Sequence, residues 1–217
     1  MGFLFAPEPR LIDASVTLPG RPDPILAQPR PHAVLDTPIT GPWREGQKRI
    51  LIGIGCFWGA EKMYWQLDGV ESTSVGYGGG QTPNPTYREV CSGQTNHVEL
   101  VEVIYDPDVV TLKELVKVAL EAHDPTQGFR QGNDVGTQYR SAFYTDTEAE
   151  AEQVRGWITQ YGADLKDAGY GDITTEVKSV ENDGVQYFLA EDEHQQYLHK
   201  VPNGYCPHHS TGVACGI

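Results

Sequence analysis

The sequence predicts an α+β fold organised around one mixed sheet. Short apolar runs of strand composition alternate with segments of helical spacing, and two Thr-x-x-Glu sequences form capping boxes that open helices. The elements follow the order β-α-β-β-α-β, with one further helix inserted before the last strand. This order is typical of the split β-α-β, ferredoxin-like core of a two-layer sandwich, and it disfavours a doubly wound parallel sheet.

Strands are predicted where short apolar runs lie between turn signals. Helices are predicted over 57–67, and after the capping boxes that pair Thr111 with Glu114 and Thr147 with Glu150. The five predicted strands are 49–54, 70–77, 98–105, 139–144 and 173–180.

The chain of 217 residues divides into three parts. Residues 1–46 are rich in proline and have neither helical nor strand periodicity, so we expect an irregular arm packed on the domain. The predicted helices and strands all lie within 47–202, which we interpret as one folded domain. Residues 203–217 form a coil-rich tail that contains two of the four cysteines.

Composition disfavours several kinds of partner. The formal net charge is −14 and the sequence pI about 4.8, so nucleic-acid backbones and anionic membrane surfaces are repelled. Four cysteines in a chain of this length are too few for a disulfide-stapled secreted scaffold. Catalysis, redox exchange or metal binding in a reducing cytoplasm is therefore the favoured explanation of the cysteines.

Cys56 lies between a predicted strand and the N-terminus of a predicted helix. The partial positive charge at a helix N-terminus lowers a thiol pKa, so this position suits a nucleophile. Glu61 is expected in the first helical turn, where the same dipole favours an acid. Position alone fits a small buried apolar residue equally well, because free cysteine is among the most buried residue types.

The sequence around Cys56 is distinctive, and further distinctive strings follow it. The strings are GCFWGAE (55–61), GYGGG (76–80), NPTYREV (84–90), GND (132–134), GTQYR (136–140) and EHQQYL (193–198). Together they resemble the A-type peptide methionine sulfoxide reductases, in family order from about residue 49 to residue 206. The arm is also similar to that of longer family members, with LPGR at 18–21.

The resemblance implies that residues 47–202 are a catalytic domain that reduces methionine-S-sulfoxide, free or in proteins, to methionine. Cys56 would attack the sulfoxide sulfur. A sulfoxide oxygen is a poor leaving group, so the attack needs a proton donor, and the resemblance assigns that role to Glu99. Tyr87 and Tyr139 would hydrogen-bond the developing oxyanion. On pattern alone, Glu99 is a solvent-facing strand residue.

The same resemblance assigns a second group of residues to substrate binding. Phe57 and Trp58 would form the apolar wall around the S-methyl group, although both also fit an ordinary helix core. Asp134 would orient substrate and water beside the oxygen site, although an acid in a Gly-Asn loop is usually a turn former. The rim residues are His194, Tyr197 and Tyr205.

The resemblance also implies a thiol cycle, because oxygen transfer leaves Cys56 as a sulfenic acid that condenses readily with a second thiol. Cys206 is the expected resolving cysteine and Cys215 the second recycling thiol, giving first a Cys56–Cys206 and then a Cys206–Cys215 disulfide. Thioredoxin or a glutaredoxin-like reductant would reduce this last, exposed pair. Cys91 is expected to be a spectator. No cofactor and no metal are implied, and a monomer is expected.

Three other classes of function fit parts of the sequence. A zinc site is a second interpretation of the tail, although its ligand spacing lacks the usual C-x2-C pairs. A cysteine hydrolase would use His97 or His123 as its base, and would need neither a second cysteine nor a reductant. A pure interaction domain would leave the Gly-rich loop, the tyrosines and Glu99 without a shared purpose. The candidate zinc ligands are Cys206, His208, His209 and Cys215.

Overall fold

The structure is a computed structural model that describes residues 8–205 and 209–217. The strands are β1 (Lys48–Ile54), β2 (Val70–Gly78), β3 (Val98–Tyr105), β4 (Arg130–Gln131), β5 (Asp134–Val135), β6 (Ser141–Thr145), β7 (Glu176–Ser179) and β8 (Tyr187–Leu189). The helices are α1 (Phe57–Tyr64), α2 (Tyr87–Cys91), α3 (Leu112–Ala122), α4 (Glu148–Asp167), α5 (Val180–Asp183) and α6 (Tyr197–Lys200). Within these two ranges, no helix is both long and apolar enough to cross a membrane.

Six of the strands form one mixed sheet in the order β7-β6-β1-β3-β2-β8. Neighbouring strands are antiparallel except β6 and β7, which are parallel. β3 therefore lies between β1 and β2, and its register places Ile52 opposite Val101 and Tyr77 opposite Glu99. The short β4 and β5 pair in a separate two-stranded sheet. The predicted combination of helices with one mixed sheet is confirmed.

The two faces of the sheet are covered differently, because strand side chains alternate between its sides. Val101 and Val103 belong to the main core, together with buried residues of α1, α3 and α4. Val98 and Leu100 belong to a smaller apolar cluster on the other side. Glu99 has the same parity as Val101, so its side chain faces the helices rather than solvent.

Several element boundaries differ from those that the sequence predicts. α1 ends at Tyr64 rather than at 67, because the chain turns toward β2 directly after it. β7 begins at Glu176 rather than at 173, because Thr174 is held by hydrogen bonds to the Pro125 carbonyl. The sequence did not predict α2, α5, α6 or β8, since segments of three to five residues are too short to show a period.

The two predicted capping boxes differ from each other. At α3 the box is complete: Thr111 Oγ1 accepts a hydrogen bond from the Glu114 N–H at 3.2 Å, and the Glu114 carboxylate accepts one from the Thr111 N–H at 2.8 Å. At α4, Thr147 Oγ1 accepts from the Glu150 N–H, but the Glu150 carboxylate binds Lys48 Nζ at 2.8 Å. The second box is therefore half formed, since this carboxylate accepts from the Thr147 hydroxyl at 3.1 Å and from Lys48 instead of from the Thr147 N–H.

The described part of the arm is irregular apart from one 3-10 turn, and it is hydrogen-bonded to the loop that leads into α2. Thr82 Oγ1 donates to the Leu18 carbonyl at 2.9 Å. The Arg21 guanidinium donates to the Asn84 carbonyl at 2.6 Å and binds the Glu89 carboxylate at 2.8 Å. These contacts fix the course of the loop and the position at which α2 begins.

The last residues of the tail pack on α3 and α4. Ser210 Oγ and the Cys215 N–H both donate to Glu121 on α3, at 2.6 and 2.8 Å. The Tyr161 hydroxyl on α4 donates to the Val213 carbonyl at 3.1 Å. The tail is therefore irregular in backbone conformation but anchored by specific contacts.

Replacing Thr111 with Ala removes the side-chain cap of α3 and leaves the Glu114 N–H without its acceptor. We expect the free energy of unfolding to fall by about 1 kcal/mol, because a Thr cap contributes about that much. Urea unfolding measures the change. The matched control is Lys113→Ala, an exposed position on the same helix, which is expected to change stability by less than about 0.5 kcal/mol. Equal losses in the two variants would contradict this account of the cap.

Candidate active site

Cys56 is the N-cap residue of α1, at the turn that joins β1 to that helix. Gly55 precedes it at φ 97°, a conformation that side-chain-bearing residues rarely adopt. A Cβ at Gly55 would also lie 2.8 Å from Gln131 Cβ, so the turn requires glycine for space as well. The turn thus fixes Cys56 with its sulfur close to the first N–H groups of the helix.

The helix N-terminus does not lower the pKa of Cys56 below its ordinary value, so that prediction was wrong. Burial of the thiol raises its pKa, and the charge of Glu99 raises it further. Hydrogen bonds from the N–H groups of Trp58 and Gly59 act in the opposite direction but are outweighed. The resting site therefore holds a thiol at neutral pH.

Glu99 lies on β3 with its carboxyl group buried beneath the start of α1. Its Oε2 accepts a hydrogen bond from the Phe57 N–H at 3.1 Å, while Oε1 has no partner among the described residues. Burial raises the pKa of Glu99 to about 8, with a smaller upward contribution from the charge of Asp134. The carboxyl group therefore keeps its proton at neutral pH, and its free oxygen can donate that proton.

Tyr87 and Tyr139 lie near Glu99 and belong to two different segments of the chain. Tyr87 is the first residue of α2, and its N–H donates to Glu191 at 2.8 Å; Tyr139 ends a 3-10 turn just before β6. Burial raises the pKa of both phenols, and the charge of Glu99 raises each of them further. Both hydroxyls stay protonated beside the carboxyl group, and the Tyr87 hydroxyl also lies within hydrogen-bonding reach of the Cys91 thiol.

An aromatic cluster adjoins this group of polar side chains. Trp58 stacks on Tyr197 with ring centroids 4.1 Å apart, and its Nε1 donates to His194 Nδ1 at 3.2 Å. His194 also lies 4.5 Å from the Tyr87 ring, centroid to centroid. Phe57 differs from Trp58, because it is completely buried in the main core, whereas Trp58 is partly exposed. Trp58 is therefore the aromatic residue that can offer a surface to a ligand.

Asp134 and Tyr205 form a second polar pair near Cys56. The Tyr205 hydroxyl donates to Asp134 Oδ1 at 3.0 Å, and Asp134 Oδ2 is buried without a partner among the described residues. Tyr205 itself is exposed. The charges of both Glu99 and Asp134 raise the pKa of Cys56, which places the three groups near one another.

Glu61 has a role that the sequence did not reveal. It is not in the first helical turn, as expected, but at the fifth position of α1, where it is completely buried. Its carboxylate accepts hydrogen bonds from the Gln196 N–H at 2.8 Å, from Gln196 Nε2 at 2.7 Å and from Thr73 Oγ1 at 3.1 Å. Gln196 has a left-handed φ of 46°, and the bonds hold that turn between His194 and Tyr197. The sequence signal is the i, i+4 spacing of Glu61 from the buried Phe57.

The other three cysteines occupy different settings. Cys206 lies outside the described residues, so its predicted pairing with Cys56 remains a prediction. Cys215 is buried in the main core, and the expectation of an exposed terminal pair was therefore wrong for this residue. Its burial follows from the packing of the tail on α3 and α4. Cys91 is an exposed residue overall, but its thiol faces Tyr87. Partial burial of that thiol raises its pKa to about 11.

The two candidate bases of a cysteine hydrolase are already engaged. His97 accepts from the Gly80 N–H at 3.1 Å and contacts the Thr82 carbonyl with its other ring nitrogen at 2.7 Å. His123 contacts the Ala119 carbonyl and Ser141 Oγ, both at 2.7 Å. Burial lowers the pKa of both rings. Neither imidazole has a free nitrogen with which to activate Cys56.

The zinc interpretation of the tail depends on residues that lie partly outside the described ranges, namely Cys206 and His208. In the part of the chain that the structure describes, no group of three or more candidate side chains is arranged to hold a metal ion.

The fold and this site define a thiol-dependent enzyme, in which a buried carboxyl group and two phenols surround a cysteine at a helix N-terminus. A family model described as peptide methionine sulfoxide reductase matches residues 48–214. The chain therefore belongs to the peptide methionine sulfoxide reductase family and is an oxidoreductase. Members of this family reduce methionine sulfoxide.

Individual relatives agree with this assignment. The chain is 65% identical over 217 residues to peptide methionine sulfoxide reductase MsrA of Corynebacterium efficiens, over 100% of this chain and 99% of that protein. It is 63% identical to MsrA of Corynebacterium glutamicum with the same coverage. The solved structure of methionine sulfoxide reductase A of Corynebacterium diphtheriae is 58% identical, with a TM-score of 0.87 over 96% of this chain and 99% of that one. The family predicted from the residues is confirmed.

The raised pKa of Glu99 predicts how stability depends on pH. The pKa of Glu99 is 4.5 in the unfolded chain and about 8 in the folded one. Between these two pH values only the folded state binds the proton, so the free energy of unfolding falls as the pH rises through this range. We expect Glu99→Gln to lose less stability than the wild type between about pH 5 and about pH 9, as measured by urea unfolding. Exposed Glu45→Gln is the control and is expected to follow the wild type. Identical pH profiles of the Glu99 variant and the wild type would contradict the proton assignment.

Proposed function

We propose that the chain reduces the S-epimer of methionine sulfoxide, free or in proteins, with Cys56 as the nucleophile and Glu99 as the proton donor. The observation that supports this most directly is the buried Glu99 carboxyl group beside Cys56, whose pKa burial raises to about 8 and whose Oε1 has no hydrogen-bond partner among the described residues. A sulfoxide needs such an acid, because its oxygen is a poor leaving group until it is protonated. The preference for the S-epimer rests on the family resemblance.

In the chemical step, the Cys56 sulfur attacks the sulfoxide sulfur while Glu99 gives its proton to the sulfoxide oxygen. The phenols of Tyr87 and Tyr139 stabilise the oxygen as negative charge develops on it. Oxygen transfer then releases methionine and leaves Cys56 as a sulfenic acid, so one thiol and one sulfoxide become one sulfenic acid and one thioether. The proton of the original thiol restores Glu99 to its acid form.

Trp58 and the rim residues are the proposed binding site for the methionine side chain. Trp58 offers a partly exposed ring that is held by His194 and Tyr197, which suits the S-methyl group and its neighbouring methylene groups. Asp134 accepts a hydrogen bond from Tyr205 at Oδ1 and has no partner for Oδ2 among the described residues, which suits orientation of substrate or water beside the sulfoxide. Phe57, which is buried, supports this surface from the core.

For the recycling phase we infer that Cys206 resolves the sulfenic acid as a Cys56–Cys206 disulfide, followed by exchange to Cys206–Cys215. Since Cys215 is buried against α3, this exchange requires its end of the tail to leave that position. Thioredoxin or a glutaredoxin-like protein would reduce the final disulfide. A reducing cytoplasm and a monomeric state are part of the same proposal, which fits an enzyme of antioxidant protein repair.

The strand order supports a finer assignment of the fold. β1 and β2 flank β3, and β3 and β6 flank β1, so each pair is parallel with one antiparallel strand between its members. Two such units, connected through α1 and α3, are what a ferredoxin-like two-layer core requires. We assign the core to this arrangement, with an arm (1–46), a catalytic domain (47–202) and a redox-active tail (203–217).

Separate incubation with methionine-S-sulfoxide and methionine-R-sulfoxide tests the proposed function. With dithiothreitol as reductant, we expect the wild type to form methionine from the S-epimer alone. Cys56→Ser is expected to abolish turnover, because no thiol is left at the helix N-terminus. Cys91→Ser is the matched control and is expected to retain activity. Turnover of neither epimer, or undiminished activity of Cys56→Ser, would contradict the proposal.

A further inference from the structure

Three buried side-chain polar atoms have no hydrogen-bond partner within the described residues: Glu99 Oε1, Asp134 Oδ2 and His209 Nε2. A buried polar atom without a partner costs free energy, so each one calls for a functional or structural reason. The first two belong to the candidate active site. His209 is not among the site residues that the family resemblance assigns. The unpaired Nε2 of His209 is therefore the one of the three atoms that has no explanation yet.

The His209 ring packs against Gly132. A Cβ at Gly132 would lie 2.1 Å from both Cε1 and Nε2 of the ring, so the imidazole lies directly over the glycine backbone. Gly132 also has a left-handed φ of 56°, which independently favours glycine there. The chain beyond His209 is anchored by the hydrogen bond from Ser210 to the Glu121 carbonyl. The ring thus lies against the Gly132 backbone, next to an anchored residue of the tail.

His209 and Cys56 line the same small cavity. Gly59, Met63 and Gln131 are among the other residues that line it. His123 also lines this cavity, but both of its ring nitrogens are already hydrogen-bonded. Among the described residues that line the cavity, His209 is therefore the imidazole with a nitrogen available for proton transfer.

Position in the chain connects His209 with the recycling phase rather than with oxygen transfer. It lies three residues after Cys206 and six residues before Cys215. The oxygen-transfer step already has an acid in Glu99, whereas condensation of a sulfenic acid with a thiol needs a group that takes the thiol proton and supplies one to the leaving hydroxide.

We propose that His209 transfers this proton when Cys206 condenses with the sulfenic acid of Cys56, an inference that rests on the proposed function. Nε2 takes the proton from the Cys206 thiol, and the resulting thiolate attacks the Cys56 sulfur. The S–O bond breaks, the imidazolium gives its proton to the departing hydroxide, and water leaves. One thiol and one sulfenic acid thus become one disulfide and one water, without any external oxidant or reductant.

A single-turnover experiment with the full chain separates the two steps. Reduced enzyme is mixed with less than one equivalent of methionine-S-sulfoxide and no reductant, so that each reacting molecule forms one methionine. Methionine is quantified directly, and the sulfenic acid is trapped with dimedone at timed intervals and measured by mass spectrometry. Cys206→Ser shows the lifetime of the sulfenic acid when no resolving thiol is present.

The informative variants are His209→Phe, which keeps a ring on Gly132 but has no nitrogen, and His209→Ala, which removes the ring. His199→Phe, at an exposed position on α6, is the matched control. We expect unchanged methionine formation in all three and a sulfenic acid that persists about 10²-fold longer in both His209 variants. Added imidazole is expected to restore rapid condensation in His209→Ala, because it can enter the space left by the ring, and not in His209→Phe.

Condensation at the wild-type rate in His209→Phe would overturn the inference, because the ring would then act by packing alone. Slow condensation in His209→Ala that imidazole fails to accelerate would also overturn it. Failure of the wild type to form methionine would instead refute the proposed function itself, so the two failures are distinguishable.

Discussion

The burial of the Glu99 carboxyl group under the N-terminus of α1 is the constraint on which the site depends. The Phe57 N–H holds one of its oxygens, and the surrounding core keeps water away from the group, so the folded chain favours its neutral form. A neutral acid can protonate a sulfoxide oxygen, whereas an ionised one would only repel the developing charge. Because a charged Glu99 would also raise the pKa of Cys56, the nucleophile is favoured only while the acid keeps its proton. Glu99 therefore supplies the proton and also influences the thiol, whose own burial is the larger cause of its raised pKa.

A second buried acid places the substrate-facing residues relative to this pair. Glu61 links α1 to the left-handed Gln196 turn, and the same turn determines where His194 and Tyr197 meet Trp58. Its pKa is raised to about 7 by burial, although three hydrogen bonds oppose the shift. Since α1 carries both Cys56 and Glu61, the helix presents the nucleophile at its start and anchors the aromatic wall one turn later.

Local sequence was sufficient for much of the fold and for part of the site. Apolar runs predict the long strands, and the Thr111 and Thr147 caps predict where α3 and α4 begin. The Gly55 turn predicts that Cys56 lies at the N-terminus of α1. The depth at which the Glu99 side chain is buried was not predictable. Alternation along β3 determines which face of the sheet Glu99 lies on, but not how well that face is shielded from water. The same limitation applies to the thiol pKa of Cys56, which depends first on burial of the thiol and then on Glu99 from another strand. It applies also to Cys215, whose burial depends on packing of the tail against α3.

The protonation state of Glu99 tests the account most directly. Infrared difference spectra between the wild type and Glu99→Gln, recorded as a function of pH, isolate the absorption of this carboxyl group. We expect a protonated carboxyl band at neutral pH that disappears as the pH rises through about 8. A carboxylate already ionised at neutral pH would contradict it, because Glu99 would then have no proton to give to the sulfoxide oxygen.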